Sequence, residues 1–282
     1  MVGNDHTPRV WKGEGSPRAC LVPGRGRFPL PAWGSAVFFR LEGTATQELV
    51  SGLRHALRLI AGGDPELLRI VLLSLRVSAT ALFFSTLVGV PLGSWLGLRR
   101  FVGRRLVIAL LYTGMGFPPV VVGLFVYVLL SRSGVLGSLG WAWLPRLFTP
   151  AAMIIAQTII AIPLVSGFTM AAVMGVDPNL RLQLISLGAA PWQATFAVLR
   201  EARIGVVVSI VAGFGSVISE VGAVMLVGGN IEGSTRVLTT AIVLETGKGN
   251  FDLALAMGIV LLTLTFFINL IVLCLQGRAD ER

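Results

Sequence analysis

The sequence is poor in charge. Only 13% of its 282 residues are Asp, Glu, Lys or Arg, while 54% are apolar; an ordinary soluble domain carries roughly 25% charged residues. Such a chain cannot cover a water-facing surface, which excludes an ordinary soluble enzyme and makes lipid the fitting solvent. Cysteine and histidine are scarce too, at two each. Cys20 lies in a polar stretch and Cys274 in an apolar run, so no disulfide framework is indicated. His6 and His55 lack partners at metal-ligand spacing, so no metal ligands are assigned. No G-x-x-x-x-G-K-[ST] pattern occurs, so the chain has no phosphate-cradling loop of that kind for ATP. No Ser/His/Asp or paired-carboxylate arrangement stands out, so no catalytic residues are assigned and an enzyme is not indicated. The net charge of +9 needs a polar domain to serve a nucleic acid. Cytoplasmic loops of a membrane protein explain the same excess, and nucleic acid is not expected as a partner.

Long apolar runs are what the sequence does have. Crossing a ~30 Å hydrocarbon core takes about 20 apolar residues. Five runs qualify, at 67–98, 106–130, 151–174, 204–227 and 253–275. They do not alternate polar and apolar residues, so a strand barrel is excluded. Every backbone group in lipid needs an internal partner, so these runs are expected as helices of an all-α polytopic membrane protein. Before them, residues 1–43 hold many Gly, Pro and Arg and no apolar period. They read as a disordered extension or an upstream start codon, and without an h-region they are not a secretory signal. Residues 44–66 read as an amphipathic surface helix, with Leu49, Leu53, Leu57 and Ile60 at helical spacing, followed by a turn. Residues 67–276 form the membrane domain and 277–282 a cytoplasmic tail.

Orientation follows from Lys and Arg. Residues 99–105 carry four arginines, and 175–203 carry Arg181, Arg200 and Arg203. The opposite loops hold Arg132 and Arg146, then Arg236 and Lys248. The richer set belongs inside, which puts the C-terminus in the cytoplasm and the N-terminus outside. Residues 1–66, with eight Lys and Arg, conflict with that rule.

Gly and Pro interrupt the spans. Pro91 lies between Gly89 and Gly93. Gly114, Gly116, Pro118 and Pro119 fall in the middle of the second span, and Pro163 falls in the third. Broken backbone in lipid is tolerated where it is buried in protein or lines a cavity. The run Gly114–Pro119 is therefore a candidate pathway element, and the second and third spans are expected to bend at Pro118-Pro119 and at Pro163. Glu220 is an intramembrane carboxylate. An anion path has little use for one, so a structural role at the gate is preferred, with Arg76 as a candidate partner. Thr113, Ser216, Ser219 and Asn230 are candidate donors to an anion, and Gly222 belongs to the same gate region. Arg236 and Lys248 either meet an acidic partner or are solvated surface charges.

The inner segment between spans three and four is the sharpest feature. Asp177-Pro178-Asn179 starts a helix, Gly188 ends it, and Ala189-Ala190-Pro191 starts another that runs to Arg200. A helix–turn–helix at the membrane face suits docking into the groove of a soluble partner, and on the residues alone an ordinary cytoplasmic loop packed on its own bundle suits it equally.

Here the sequence reaches a family. Residues 186–193 (SLGAAPWQ) resemble the cytoplasmic coupling motif of ABC importer permeases, Glu-Ala-Ala, three residues, Gly, then a spacer to Ile-x-Leu-Pro. Gly188 takes the glycine position, and Val198 and Arg200 fall at Ile and Leu. Leu182, Gln183 and Leu184 replace Glu-Ala-Ala, and Glu201 replaces Pro. A wider resemblance, from about 46 to 277, is to the tungstate branch of the molybdate/sulfate/tungstate permeases. It is carried by 62–66 (GGDPE), 116–124 (GFPPVVVGL), 129–134 (LLSRSG), 152–158 (AMIIAQT), 218–231 (ISEVGAVMLVGGNI) and 235–246 (TRVLTTAIVLET).

This resemblance implies a type I importer permease fold, five transmembrane helices with a cytoplasmic coupling helix–turn–helix, in a prokaryotic inner membrane. It implies a homodimer that works with cytoplasmic ABC ATPase subunits and an extracytoplasmic oxyanion-binding protein. The chain itself then binds no cofactor, and ATP and Mg are used by the partner ATPase. Arg181, Gly188, Ala189, Ala190, Pro191, Trp192 and Gln193 become the ATPase-coupling residues. Gly116, Pro118, Pro119, Ser216, Ser219, Glu220, Gly222 and Asn230 become candidates for the path or gate. Tungstate is the implied substrate, with molybdate or sulfate as the alternative and a non-ABC secondary transporter behind them.

Overall fold

Apolar runs in a chain so short of charge fold as helices. The computed structural model describes residues 65–139 and 144–280, with Arg54 and Gly62 as single positions, and shows no strand among them. The chain divides into two units, 1–44 and 45–282, and the helices described below all lie in the second. The expected extension 1–43 and surface helix 44–60 lie outside the described residues, Arg54 apart.

The first span is helix α1, Pro65–Leu98. The second is two helices, α2 (Arg104–Met115) and α3 (Pro119–Leu130). The third is α4, Pro150–Met174, with Thr149 as its N-cap. The inner segment forms α5 (Pro178–Ser186) and α6 (Pro191–Glu201). The fourth run gives α7 (Arg203–Ile218) and a short α8 (Gly222–Gly228). Next come α9 (Leu238–Gly247) and α10 (Phe251–Asp280). Three helices are long and apolar enough to cross a membrane alone, and the count reaches five if each of two sharply bent pairs, α2 with α3 and α6 with α7, is one span.

Helix α4 is the centre of the bundle, packing against α1, α2, α3, α7 and α8. Its contact with α1 is made by small residues. Gly89, Gly93 and Gly97 recur every four residues and face Val165, Ser166 and Val173. A Cβ on Gly93 would overlap the Ser166 carbonyl. Close backbone approach of this kind holds helices together where lipid removes the hydrophobic drive between them. Polar pairs add to it. Thr169 and Ser209 share a hydrogen bond of 2.9 Å between α4 and α7, and the Leu238 N–H donates to Ser74 Oγ at 2.8 Å.

Three sequence expectations change. Pro163 does not interrupt α4, which runs unbroken through it; its ring lies where a Cβ on Gly114 would touch it at 3.0 Å, so it serves as a packing surface. The fourth span is not continuous but breaks at 219–221. The segment between spans four and five is not all loop but contains the helix α9. The last helix contains the apolar run 253–275 and continues to Asp280.

Candidate translocation gate and coupling helices

The break in the second span is made by its prolines. Neither ring nitrogen can donate, and Pro119 drives the residue before it out of the α region. Pro118 accordingly has φ −60° and ψ 121°, and Pro119 opens the next helix. Gly116 closes α2, its N–H donating to the Thr113 carbonyl at 3.1 Å. The two halves meet at 98°.

The break in the fourth span contains no proline. Glu220, buried to 8% exposure, accepts the Ala223 N–H on Oε1 at 2.9 Å. Its side chain thus occupies an orphan donor at the start of α8, as a cap does. The carbonyls that the break frees find side-chain donors. Gln157 Nε2 of α4 donates to the Val217 carbonyl at 3.0 Å, and Thr239 Oγ1 of α9 donates to the Glu220 carbonyl at 3.0 Å. Neither Gln157 nor Thr239 is among the residues that the sequence reading assigns to the site. For Gln157 a signal exists, since it is a lone amide inside an apolar run without charge. Arg76 makes no ion pair with Glu220; the carboxylate is met by backbone, and Arg76 is exposed.

The two breaks touch. A Cβ added to Gly222 would overlap Val120 Cγ2, and one on Gly123 would lie 2.5 Å from the Ala223 Cα. The first turn of α3 therefore rests on the first turn of α8, backbone against backbone. Beside them Val126, Leu130, Ala152, Ala156, Ala223 and Val227 form one buried cluster. Gly116, Pro118, Pro119, Ser219, Glu220 and Gly222 thus belong to two facing interruptions.

Of the candidate donors, Ser219 alone lies within this pair. Ser219 Oγ donates to the Gly215 carbonyl at 2.7 Å and Thr113 Oγ1 to the Ala109 carbonyl at 2.8 Å, so both hydroxyl protons serve their own helices. Ser216 lies on α7, one turn before the break. Asn230 lies beyond α8 in the left-handed region, φ 50°; its Nδ2 donates to the Thr240 carbonyl at 3.4 Å, and its buried Oδ1 has no partner among the described residues.

Arg236 is not a solvated surface charge, whereas Lys248 is exposed and pairs at the surface. Arg236, with a side chain 15% exposed, pairs with Glu232 at 3.3 Å and Glu66 at 3.8 Å. Lys248 Nζ reaches Glu245 Oε1 at 2.6 Å, and Asn250 Nδ2 donates to Oε2 at 2.7 Å. The Asn250 hydrogen bond first, and then Lys248, hold the Glu245 carboxyl below the usual carboxylate range.

The inner segment is built by local rules. Asp177 caps α5, accepting the Asn179 N–H at 2.9 Å. At its end the Gly188 N–H donates to Ile185 and the Ala189 N–H to Leu184, both at 3.0 Å. This is a Schellman ending, which puts its C′ residue in the left-handed region; Gly188 has φ 87°. Ala190 and Pro191 begin α6, and Gln193 Oε1 accepts the Ala190 N–H at 2.8 Å. The Gln193 side chain is thus engaged in capping. Ala194 and Val198 turn inward, and Val198 packs with Val173 and Ala202. Leu187 at 84%, Trp192 at 71% and Phe196 at 67% exposure face outward. Arg181 has a buried Nε without a partner among the described residues. Helices α6 and α7 meet at 70°.

Residues 89–282 match the family described as the inner membrane component of binding-protein-dependent transport systems. The chain is 43% identical over 221 residues to a "Probable anion ABC transporter permease protein" of Haloferax volcanii, covering 77% of this chain and 93% of that one. It is 39% identical over 228 residues to the tungstate uptake system permease protein TupB of Peptoclostridium acidaminophilum, covering 81% and 98%. To the molybdenum transport system permease protein ModB of Escherichia coli it is 32% identical over 182 residues, covering 63% and 79%. Among solved structures, a bacterial alginate ABC transporter chain superposes with TM-score 0.64 at 22% identity, covering 86% of this chain and 95% of that one, a likeness of fold.

Proposed function

The chain belongs to the inner membrane components of binding-protein-dependent transport systems, and from that premise we propose that it is the permease subunit of an ATP-driven importer of tetrahedral oxyanions, with tungstate as the substrate. The observation that carries the substrate is the match over 98% of a tungstate uptake permease. The shorter match to a molybdenum permease supports molybdate as the second reading.

Two copies pair, and the exposed apolar face of α3, with Val120, Val121, Leu124, Phe125 and Val128, suits that seam. An extracytoplasmic binding protein delivers the anion. Cytoplasmic ATPase subunits hydrolyse ATP and receive α5 and α6. Leu187, Trp192 and Phe196, apolar and exposed on a segment outside the spans, fit a partner's groove. Motion of that segment passes through the Ala202 joint into α7 and reaches the Glu220 break, which rests on the Pro118-Pro119 break. The facing breaks are the gate. The C-terminus lies in the cytoplasm, so a cysteine at Gly103 is shielded from an impermeant thiol reagent in intact cells while one at Gly249 reacts.

The test is uptake in a strain lacking its own oxyanion permeases, supplied with this chain, its ATPase and its binding protein. Tungstate accumulation that molybdate competes with only weakly is expected. Molybdate uptake outpacing tungstate would select the second reading, and uptake of neither would end both.

A further inference from the structure

We infer that the cavity between the end of α3 and the start of α4 is a landing site for the tetrahedral oxyanion, held by Arg132 and Arg146. The inference rests on the proposed oxyanion transport.

The cavity has a volume of about 740 Å³, and Ser131, Arg132, Leu136, Arg146 and Phe148 are among its lining residues. No described carboxylate lines it. Neither guanidinium has an ion pair or hydrogen bond among the described residues. The contrast within the same protein is direct. A second basic groove of about 690 Å³ holds Arg69, Arg76 and Arg236, but Glu66 and Glu232 line it too, and Arg236 pairs with both. Of the two, the first cavity alone offers cationic donors with no fixed anion beside them. A guanidinium presents a planar fork of N–H groups suited to a tetrahedral oxyanion.

Both arginines stand on constrained backbone. Arg132 lies in a turn closed by the Gly134 N–H to the Ser131 carbonyl, 2.8 Å, and the Leu136 N–H to the Leu129 carbonyl, 3.1 Å. A Cβ on Gly134 would overlap the Val128 carbonyl, and one on Gly137 the Ser131 carbonyl. Arg146 precedes Phe148, a bulky residue held at φ 60°. The Phe148 N–H donates to the Val227 carbonyl at 2.8 Å, and its ring lies 6.3 Å from that of Tyr127. The cavity thus adjoins the far ends of both broken spans, α3 through Tyr127 and α8 through Val227. The start of the 25-residue α4 adds a field of the same sign. Two cations on the rim of a wide cavity attract a dianion without enclosing it, and a transport path requires weak binding that still permits release.

The test is equilibrium dialysis of tungstate against the purified permease–ATPase complex without binding protein, in the wild type and in Arg132→Gln/Arg146→Gln. Each charge-assisted contact is expected to weaken binding roughly tenfold when lost, so the double variant binds on the order of a hundredfold less. In proteoliposomes its uptake from saturating loaded binding protein falls on the order of tenfold, while its affinity for the binding protein is unchanged. Should the double variant fail to assemble, Arg132→Lys and Arg146→Lys keep the charge, and each is expected to weaken tungstate severalfold. Unchanged tungstate binding overturns the site. So does a loss of binding-protein affinity that accounts for the fall in uptake, since the arginines then serve docking. A wild-type complex that binds tungstate through these arginines yet transports no oxyanion ends the transport reading and keeps the anion site.

Discussion

The second and fourth spans are both broken in mid-course, but by opposite means. Pro118 and Pro119 break the second locally, since a missing N–H and a fixed φ act whatever surrounds them. At Ser219–Val221 the break of the fourth is held by side chains, one from within the break and two from other helices. Glu220 takes the Ala223 N–H, Gln157 takes the Val217 carbonyl, and Thr239 takes the Glu220 carbonyl. One break is a property of the chain and the other a property of the bundle. The difference suits a gate, where a fixed bend on one side bears against an element whose break depends on exchangeable hydrogen bonds.

Glu220→Leu tests that dependence with the largest expected effect. The Ala223 N–H is left buried without an acceptor, at a cost of about 1–3 kcal/mol. Thermal stability in detergent should drop accordingly, and oxyanion uptake should be lost. Glu220→Gln keeps an acceptor oxygen and should retain most of both. Equal behaviour of the two variants would mean that the hydrogen bond does not hold the break.

Gly188→Leu comes next and concerns a third bend, made by backbone freedom alone. A non-glycine residue in the left-handed region costs roughly 1–2 kcal/mol, and here there is open space for the side chain itself. The spans should fold and the variant should purify normally, while uptake falls by an order of magnitude or more. Normal uptake with full recovery of the ATPase in pull-down would remove the coupling role of this turn.

Pro118→Ala/Pro119→Ala probes the local break. Alanine permits the helix to continue, so the variant should fold with stability within about 1 kcal/mol of the parent. Uptake should fall severalfold as the fixed bend relaxes. Unchanged uptake would show that α8 alone sets the bend.

The smallest effect belongs to Glu245, between the fourth and fifth spans. Its folded pKa is depressed from 4.5, so the carboxylate's contribution is fully present above about pH 4.5 and is lost as pH falls through the lower folded value. Thermal melts of the parent should show an acid-side loss that Glu245→Gln lacks. A parallel pH dependence in both would assign the loss to other groups.

The same contrast explains what the residues alone disclose. The apolar runs, the Pro118-Pro119 break and the Asp177–Pro191 turns rest on local chemistry, and the structure forms each where the residue types call for it. Pro163 does not break its helix, which runs on through it, and the ring packs where Gly114 offers space. The 219–221 break is hidden in the sequence because its donors lie on α4 and α9, far away along the chain. A trace is present: Glu220 stands three residues before Ala223, the spacing of a helix cap, and Gly222 lies between. Arg236 stays between two roles in the sequence because only Glu232, four residues before it, is near along the chain, while Glu66 reaches it when α1 packs beside the segment before α9.

As the gate, the facing breaks have to move during transport, and one cross-link tests that motion. A Cβ on Gly222 would lie 3.5 Å from the Val120 Cβ, within disulfide range. With Cys20 and Cys274 replaced by serine, Val120→Cys/Gly222→Cys should carry tungstate when reduced, stop when oxidised, and recover on adding reductant. Full uptake by the fully oxidised protein would contradict the gate.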